Sequence, residues 1–233
     1  MEYLLKVNPR RKRVSISVDE EGKLIVKAPP YITNAQIEGF VNQHENWIQK
    51  QKNQVISKPK LEDRFQPGSE HWYLGKAYPL KILENAETTT VSFEQDHWIF
   101  KTRAVSSFEE TKKYLDSWYR QQAQEIFLEC FREQYAFMQP LLSLPPVPKI
   151  SIRAMTSRWG SCSSQRNVSL NLYLIHLPIS CLEYIIAHEL CHLKEMNHSA
   201  RFHALMDKSM PDWRLRKAEL KKCAREIPFS CGK

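Results

Sequence analysis

The 233-residue sequence contains no CxxC pair, no glycine-rich phosphate loop, no internal repeat and no apolar run approaching a bilayer span of roughly 20 residues. Each absence narrows the field. Without a long apolar run the chain is not expected to span a membrane. Its opening, MEYLLKVNPRRKR, lacks the apolar core and small-residue cleavage site of a secretory signal, so the expected location is cytoplasmic. In that compartment most of the six cysteines read as reduced, buried thiols. The missing phosphate loop argues against a P-loop nucleotide enzyme.

What is present suits a soluble globular protein with a sizeable core: 42% of residues are hydrophobic and 26% charged. The net charge of +8 includes a short basic run, Arg10 to Arg13, and a looser basic stretch from Arg214 to Arg225. Such a balance permits a nucleic-acid or other acidic partner without requiring one.

The first hundred residues are strand-rich. RVSISV alternates, KLIVKAP follows, and Glu21-Gly22 suits a hairpin turn. A helix is expected over 33–52, then a polar linker, then antiparallel strands in HWYLGKAYPLKIL, TTTVSFE and HWIFKT. A long helix follows, capped by Ser106 or Ser107, with Pro140 beyond its end. KISIRAM and NVSLNLYLI read as strands flanking the loop TSRWGSCSSQR, and helices then run to near the end of the chain. Segregation of strands from helices predicts an α+β fold, with a small antiparallel β-rich N-terminal domain over 1–105 and a second domain over 106–233.

The chemistry concentrates in HELCHLKEMNH, residues 188–198. The preceding helix should begin near Cys181, with Ser180 and Glu183 forming a capping box. Its apolar residues surround nearly the whole circumference, so ionisable groups within it need partners or a metal. At about 100° per residue, His188 and His192 lie about 40° apart around the axis and about 6 Å along it, close enough to converge on one ion. Glu189 flanks them, where a carboxylate can act on water without ligating the metal. Cys191 is on the other flank, but a thiolate there would coordinate zinc more readily than serve as a base.

An activating Zn2+ site needs a third protein ligand and an open position. His198 is the leading candidate, with Glu219 and Asp207 as alternatives. His198 reaches the ion only if the chain leaves helical geometry between Leu193 and His198, with Asn197 as the expected left-handed exit and Ser199 as the cap of the next helix.

These segments resemble the YgjP-like metallopeptidases, which are related to the SprT and WLM branches of the zincins. The resemblance rests on RWGSC (158–162), NVSLN (167–171), HELCHLKEMNHSARF (188–202) and MPDW (210–213), with weaker similarity in YLGKAYPL and the basic N-terminal strands. It implies a zincin-like metallopeptidase domain in which His188, His192 and His198 hold Zn2+ and Glu189 is the general base. The spacing is also similar to HExxHxxGxxH, with Glu195 in place of the glycine. Relatives usually carry Trp at the position of His203.

The resemblance further implies that RWGSC approaches the active site and that NVSLN forms a rim strand for an extended peptide. Arg158, Trp159, Asn171 and His203 are the corresponding substrate-binding candidates. Arg158 could polarise a carbonyl or bind an anion, and the Cys162 thiolate could fill the fourth zinc position and hold the enzyme latent. The leading expectation is a zinc metallopeptidase acting on a peptide or protein. The alternatives are a metal-dependent nucleotide pyrophosphohydrolase and a DNA-associated SprT-like protease. The oligomeric state is left open.

Overall fold

A computed structural model describes residues 2–19, 22–56 and 62–227. The chain divides into two compact units, Met1–Arg64 and Phe65–Lys233. The smaller holds β1 (Leu4–Val7), β2 (Ser15–Val18), β3 (Leu24–Ala28), α1 (Asn34–Gln43) and α2 (Glu45–Ile56). Its sheet has the order β1-β3-β2. β2 pairs antiparallel with β3 as a hairpin should, but β1 pairs parallel with it, so the sheet is mixed where an antiparallel one was expected. Gly22 adopts φ +80 at the β2–β3 turn, while Glu21, the other expected turn residue, lies outside the described residues.

The helix expected over 33–52 is two helices interrupted at His44. Thr33 and Gln36 form a capping box at the start of α1, satisfying backbone donors that a helix end otherwise leaves unpaired. Ile37 and Val41 of α1 and Ile48 of α2 bury against Leu24, Val26 and Ala28. Full burial of such a side chain contributes about 1.5–3 kcal/mol. Residues 57–61 of the polar linker lie outside the described residues.

The larger unit begins with β4 (Glu70–Tyr73), β5 (Lys76–Leu83), β6 (Thr90–Glu94) and β7 (His97–Lys101), in the order β4-β5-β7-β6. β5 and β7 pair parallel, the others antiparallel. These strands share a core with α3 (Phe108–Leu142): Leu80, Trp98 and Phe100 bury in the same cluster as Leu115, Tyr119 and Phe127. This shared core is why the division falls at 64/65, earlier than the 105/106 boundary read from the sequence. The change from strands to helix at 105 is a change of local structure inside one hydrophobic core.

Ser107 caps α3 as expected. Pro140, expected beyond the helix, lies inside its last turn. There it removes the bond that an N–H would make to the carbonyl of Ala136, an exposed residue, and crowds that carbonyl with its ring. The helix then ends at Ser143, in the left-handed conformation at φ 51.

A second small sheet follows: β8 (Lys149–Arg153), β9 (Gly160–Cys162) and β10 (Asn167–Asn171), in the order β8-β10-β9. After it come a 3-10 turn (Leu172–His176), α4 (Ile179–Cys191), α5 (Ala200–Ser209) and α6 (Trp213–Glu226). The chain is therefore a mixed α+β protein with six α-helices among the described residues. No helix among them is long and apolar enough to cross a membrane. The five described cysteines, Cys130, Cys162, Cys181, Cys191 and Cys223, are free thiols.

Candidate metal centre

α4 is buried on almost every side: Cys181, Leu182, Ile186, Ala187, Leu190 and Cys191 are each no more than 1% exposed. The expected capping box at its start does not form. The helix begins at Ile179 without a side-chain cap, because Ser180 donates instead to Glu219 Oε2 at 2.7 Å and Glu183 pairs with Arg216. Both polar groups of the local motif are thus used to tie α4 to α6. A local signal has lost to a tertiary one.

The last turn of α4 carries His188 and Glu189, and His192 is its C-cap. The chain leaves the helix through tight turns, with Leu193 N–H donating to Leu190 and Lys194 and Glu195 N–H to Cys191. Asn197, the expected left-handed exit, is not at positive φ; the chain bends through Met196 and Asn197 instead, with Ser199 N–H donating to Asn197 O at 2.8 Å. Ser199 caps α5 as expected, accepting from Phe202 N–H. The bend swings His198 back. Its Nε2 lies 3.0 Å from His188 Nε2, and His192 Nε2 lies 3.2 Å from the same atom.

Three properties show that this group suits a cation. The candidate ligand atoms of His188, His192 and His198 all lie within 4.8 Å of one another. Nitrogens in tetrahedral zinc coordination, at bonds of 2.0–2.1 Å, are separated by about 3.3 Å, close to the 3.0 and 3.2 Å that separate His188 Nε2 from the other two rings. Second, His192 Nδ1–H donates to the Glu195 carbonyl at 2.9 Å, which fixes the tautomer and leaves Nε2 with its lone pair facing the others. Third, His188 and His192 are held neutral. Burial, reinforced by the neighbouring His192 and His198, lowers the pKa of His188 to about 3, and burial also lowers that of His192. Phe202 packs under all three rings, with centroids 4.6–4.9 Å away.

Glu189 is 4% exposed, and its Oε2 has no hydrogen-bond partner among the described residues. Burial raises its pKa to about 8, opposed by the Arg158 guanidinium. The carboxylate is pressed against β9. A Cβ at Gly160 would fall 2.6 Å from Glu189 Oε1 and 2.9 Å from Ile185 Cγ2, so only glycine permits this approach. Beside it opens a cleft of about 750 Å³ lined by Trp159, Tyr184, His188 and Glu189 on one side and by residues of α6 on the other.

NVSLN, expected to be the rim strand, is β10, the central strand of its sheet. Its edges are taken by β8 and β9, so it has no row of backbone groups to offer a peptide. The open edge near Glu189 is β9. Asn171 N–H donates to Trp159 O and Ser163 N–H to Asn167 O, so residues 159, 161 and 163 face β10, and Gly160 and Cys162 turn their N–H and C=O groups outward.

The remaining candidates separate. Arg158 is exposed on the loop before β9, and Trp159 lines the cleft. Asn171 is fully buried: its Nδ2 donates to Met155 O and Arg158 O, and its Oδ1 accepts from Met155 and Tyr173 N–H. It organises the 155–158 loop instead of facing substrate. His203 stacks on Trp213 at 5.4 Å, outside the histidine cluster. Of the alternative third ligands, Glu219 is bonded to Ser180, and Asp207 to Trp213 and Arg214. Burial, with the Glu189 charge, raises the Cys162 thiol to about 11, and its sulfur is not part of the ligand cluster.

Sequence reasoning missed Phe202, Tyr184 and the cleft-facing residues of α6. Tyr184 was within reach, since it sits one turn before His188 on the same helix face.

Comparison with known proteins defines the class first: a model for a metallopeptidase domain matches residues 12–223. The chain belongs to the YgjP-like family. That membership implies a metal ion, for which the three histidines are the available cluster among the described residues. Among solved structures, the chain is similar to the metallopeptidase zymogen of Methanocaldococcus jannaschii jannalysin, with 24% identity and a TM-score of 0.36 over 43% of this chain and 97% of that one. It is also similar to the zymogen of Pyrococcus abyssi abylysin, with 21% identity and a TM-score of 0.37 over the same shares. No curated protein sequence gives a significant match.

Proposed function

We propose that the chain is a zinc-dependent peptidase with a zincin-like site, in which His188, His192 and His198 hold the ion and Glu189 is the general base. The observation that carries this reading is the convergence of three imidazoles beside a buried carboxylate with an unpartnered oxygen, with His188 and Glu189 lining one cleft. When bound, zinc supplies Lewis-acid polarisation of a carbonyl and makes water acidic enough to lose a proton near neutral pH.

This chain's residues do the rest. Glu189 accepts the proton of the attacking water and returns it to the departing amine. The outward N–H and C=O groups of Gly160 and Cys162 bind the main chain of an extended peptide as an added strand, holding the scissile bond beside Glu189. Arg158 is exposed and electrostatically coupled to Glu189, which suits it to a developing negative charge.

The test is a Glu189→Gln chain assayed for metal content and for peptide cleavage. One zinc per chain with turnover lowered by about 10²–10⁴ is expected, the range for a lost general base. Undiminished cleavage would overturn the role given to Glu189. The nucleotide pyrophosphohydrolase reading draws on the basic residues lining the cleft. Zinc-loaded enzyme offered nucleoside triphosphates and peptides side by side separates the two, with Glu189→Gln as the control for contaminants. The DNA-associated reading has only the basic N-terminal run in its favour, and requires DNA binding that weakens steeply with salt.

A further inference from the structure

The cleft beside Glu189 has an asymmetric charge lining that the reaction itself does not need. α6 presents Lys217, Leu220, Lys221, Ala224 and Arg225 to it, positions i, i+3, i+4, i+7 and i+8, which form one face of a helix. Lys217, Lys221 and Arg225 are exposed, and none makes an ion pair among the described residues. Several carboxylates of α4, α5 and α6 are engaged elsewhere: Glu219 by Ser180, Glu183 and Asp212 by Arg216, and Asp207 by Arg214, while Glu226 is exposed beside Arg225 at the end of α6 and does not line the cleft. Among the described residues, Glu189 is the only carboxylate lining the cleft. Three cations thus stand along one wall, separated by apolar Leu220 and Ala224, opposite the open edge of β9.

The spacing narrows the ligand. Four residues of helix advance about 6 Å, so the three cations recur at about 6 Å intervals along α6. Side chains on one face of an extended peptide recur every second residue, at about 6.6 Å. Resting on the peptidase reading above, we propose that the α6 face is a specificity wall for acidic peptides: Lys217, Lys221 and Arg225 pair with Asp or Glu side chains at alternate positions of an extended substrate. Leu220 and Ala224 receive the apolar parts of those side chains. The wall acts on the choice of substrate, while bond cleavage stays with Glu189 and the metal-holding histidines.

The test uses the full zinc-loaded chain and matched peptide sets carrying Glu, Gln or Lys at alternate positions on either side of one scissile bond. The expected result is a kcat/KM for the Glu set about tenfold above the Gln set, with the Lys set lowest and the advantage shrinking as salt rises. In the Lys217→Glu/Lys221→Glu/Arg225→Glu variant the ranking should invert, with the Glu-to-Gln ratio falling below one and melting temperature and zinc content showing that the fold is kept. Equal rates for the three sets, or the same ranking in the variant, would overturn the proposal.

A binding measurement keeps this outcome separate from failure of the peptidase reading. With the Glu189→Gln chain and fluorescent versions of the same peptides, tighter binding of the Glu set that is lost in the charge-reversed background supports the wall even if no peptide is cleaved. Equal binding of the Glu and Gln sets refutes it. Displacement of the Glu peptide by an equal-length oligonucleotide at lower concentration than by unlabelled Glu peptide would also overturn it, assigning the wall to phosphates.

Discussion

Two of the regions that bury histidine in the larger unit do so for opposite ends. His176, in the 3-10 turn, is 6% exposed and its Nδ1–H donates to the Trp72 carbonyl at 2.8 Å. Tyr119 of α3 donates to the same carbonyl and packs its ring on the imidazole at 4.5 Å. The ring knits strand, turn and helix together. In the 188–198 segment the ring nitrogens face one another across about 3 Å. Each region holds at least one neutral imidazole, with His176 lowered to about 4 and His188 to about 3 chiefly by burial. Burial and a displaced pKa therefore do not mark a functional histidine. Convergence of lone pairs on one point does.

The largest expected effect tests that distinction directly. His192→Ala should leave little or no bound zinc by elemental analysis and abolish peptide cleavage by at least about 10³-fold, because a ligand set of two no longer holds the ion tightly. His176→Ala should keep its zinc and lose thermal stability instead. Full zinc occupancy in His192→Ala would break the comparison.

Next in size is Gly160→Ala. A methyl group at that position would meet Glu189 Oε1 at 2.6 Å, so the carboxylate or β9 must move. Misplacement on this scale should lower kcat by about 10–100-fold, read in steady-state assays, with metal content unchanged. Normal kcat would mean that Glu189 tolerates displacement, contrary to the role proposed for it.

The pH profile sharpens the other side of the comparison. The folded-state pKa of His176 lies below the ordinary value, at about 4 against 6.5, so its contribution to stability is present above pH 6.5 and is lost as pH falls toward 4. The loss should amount to about 3 kcal/mol. His176→Gln, less stable at neutral pH, should show a flatter fall over that interval in denaturant titrations. Parallel curves for the two chains would refute the assignment.

The smallest effect belongs to Gly75, in the β4–β5 turn. Its φ is +88, and a Cβ there would stand 2.7 Å from Pro178 Cγ, at the entry to α4. Gly75→Ala should cost about 1–3 kcal/mol through strain and overpacking. A neutral change in unfolding free energy would show that the turn can shift without disturbing α4.

Much of the centre could be read from local pattern. The four-residue spacing of His188 and His192 and the flanking Glu189 follow from helix geometry, and the need for a bend before His198 follows from the same arithmetic. The route of that bend was not legible, because the tight turns after Leu190 carry no glycine or proline to announce them. The capping box at Ser180 and Glu183 was locally consistent and still did not form. α6, distant in sequence, offered Glu183 a guanidinium and Ser180 a carboxylate.

The sequence by itself determined the alternation of strands and helices, the buried character of α4 and the residues able to bind a metal, because these depend on spacing of 2 or 3.6 residues within one segment. Tertiary structure alone decided that β9 and not β10 has the open edge, that Asn171 serves a loop, that 65–227 share one core and that α6 turns a basic face to the cleft. Each of those depends on which segments meet across long stretches of chain. Hydrogen-bond pairing and burial settle such meetings only once the whole unit has folded.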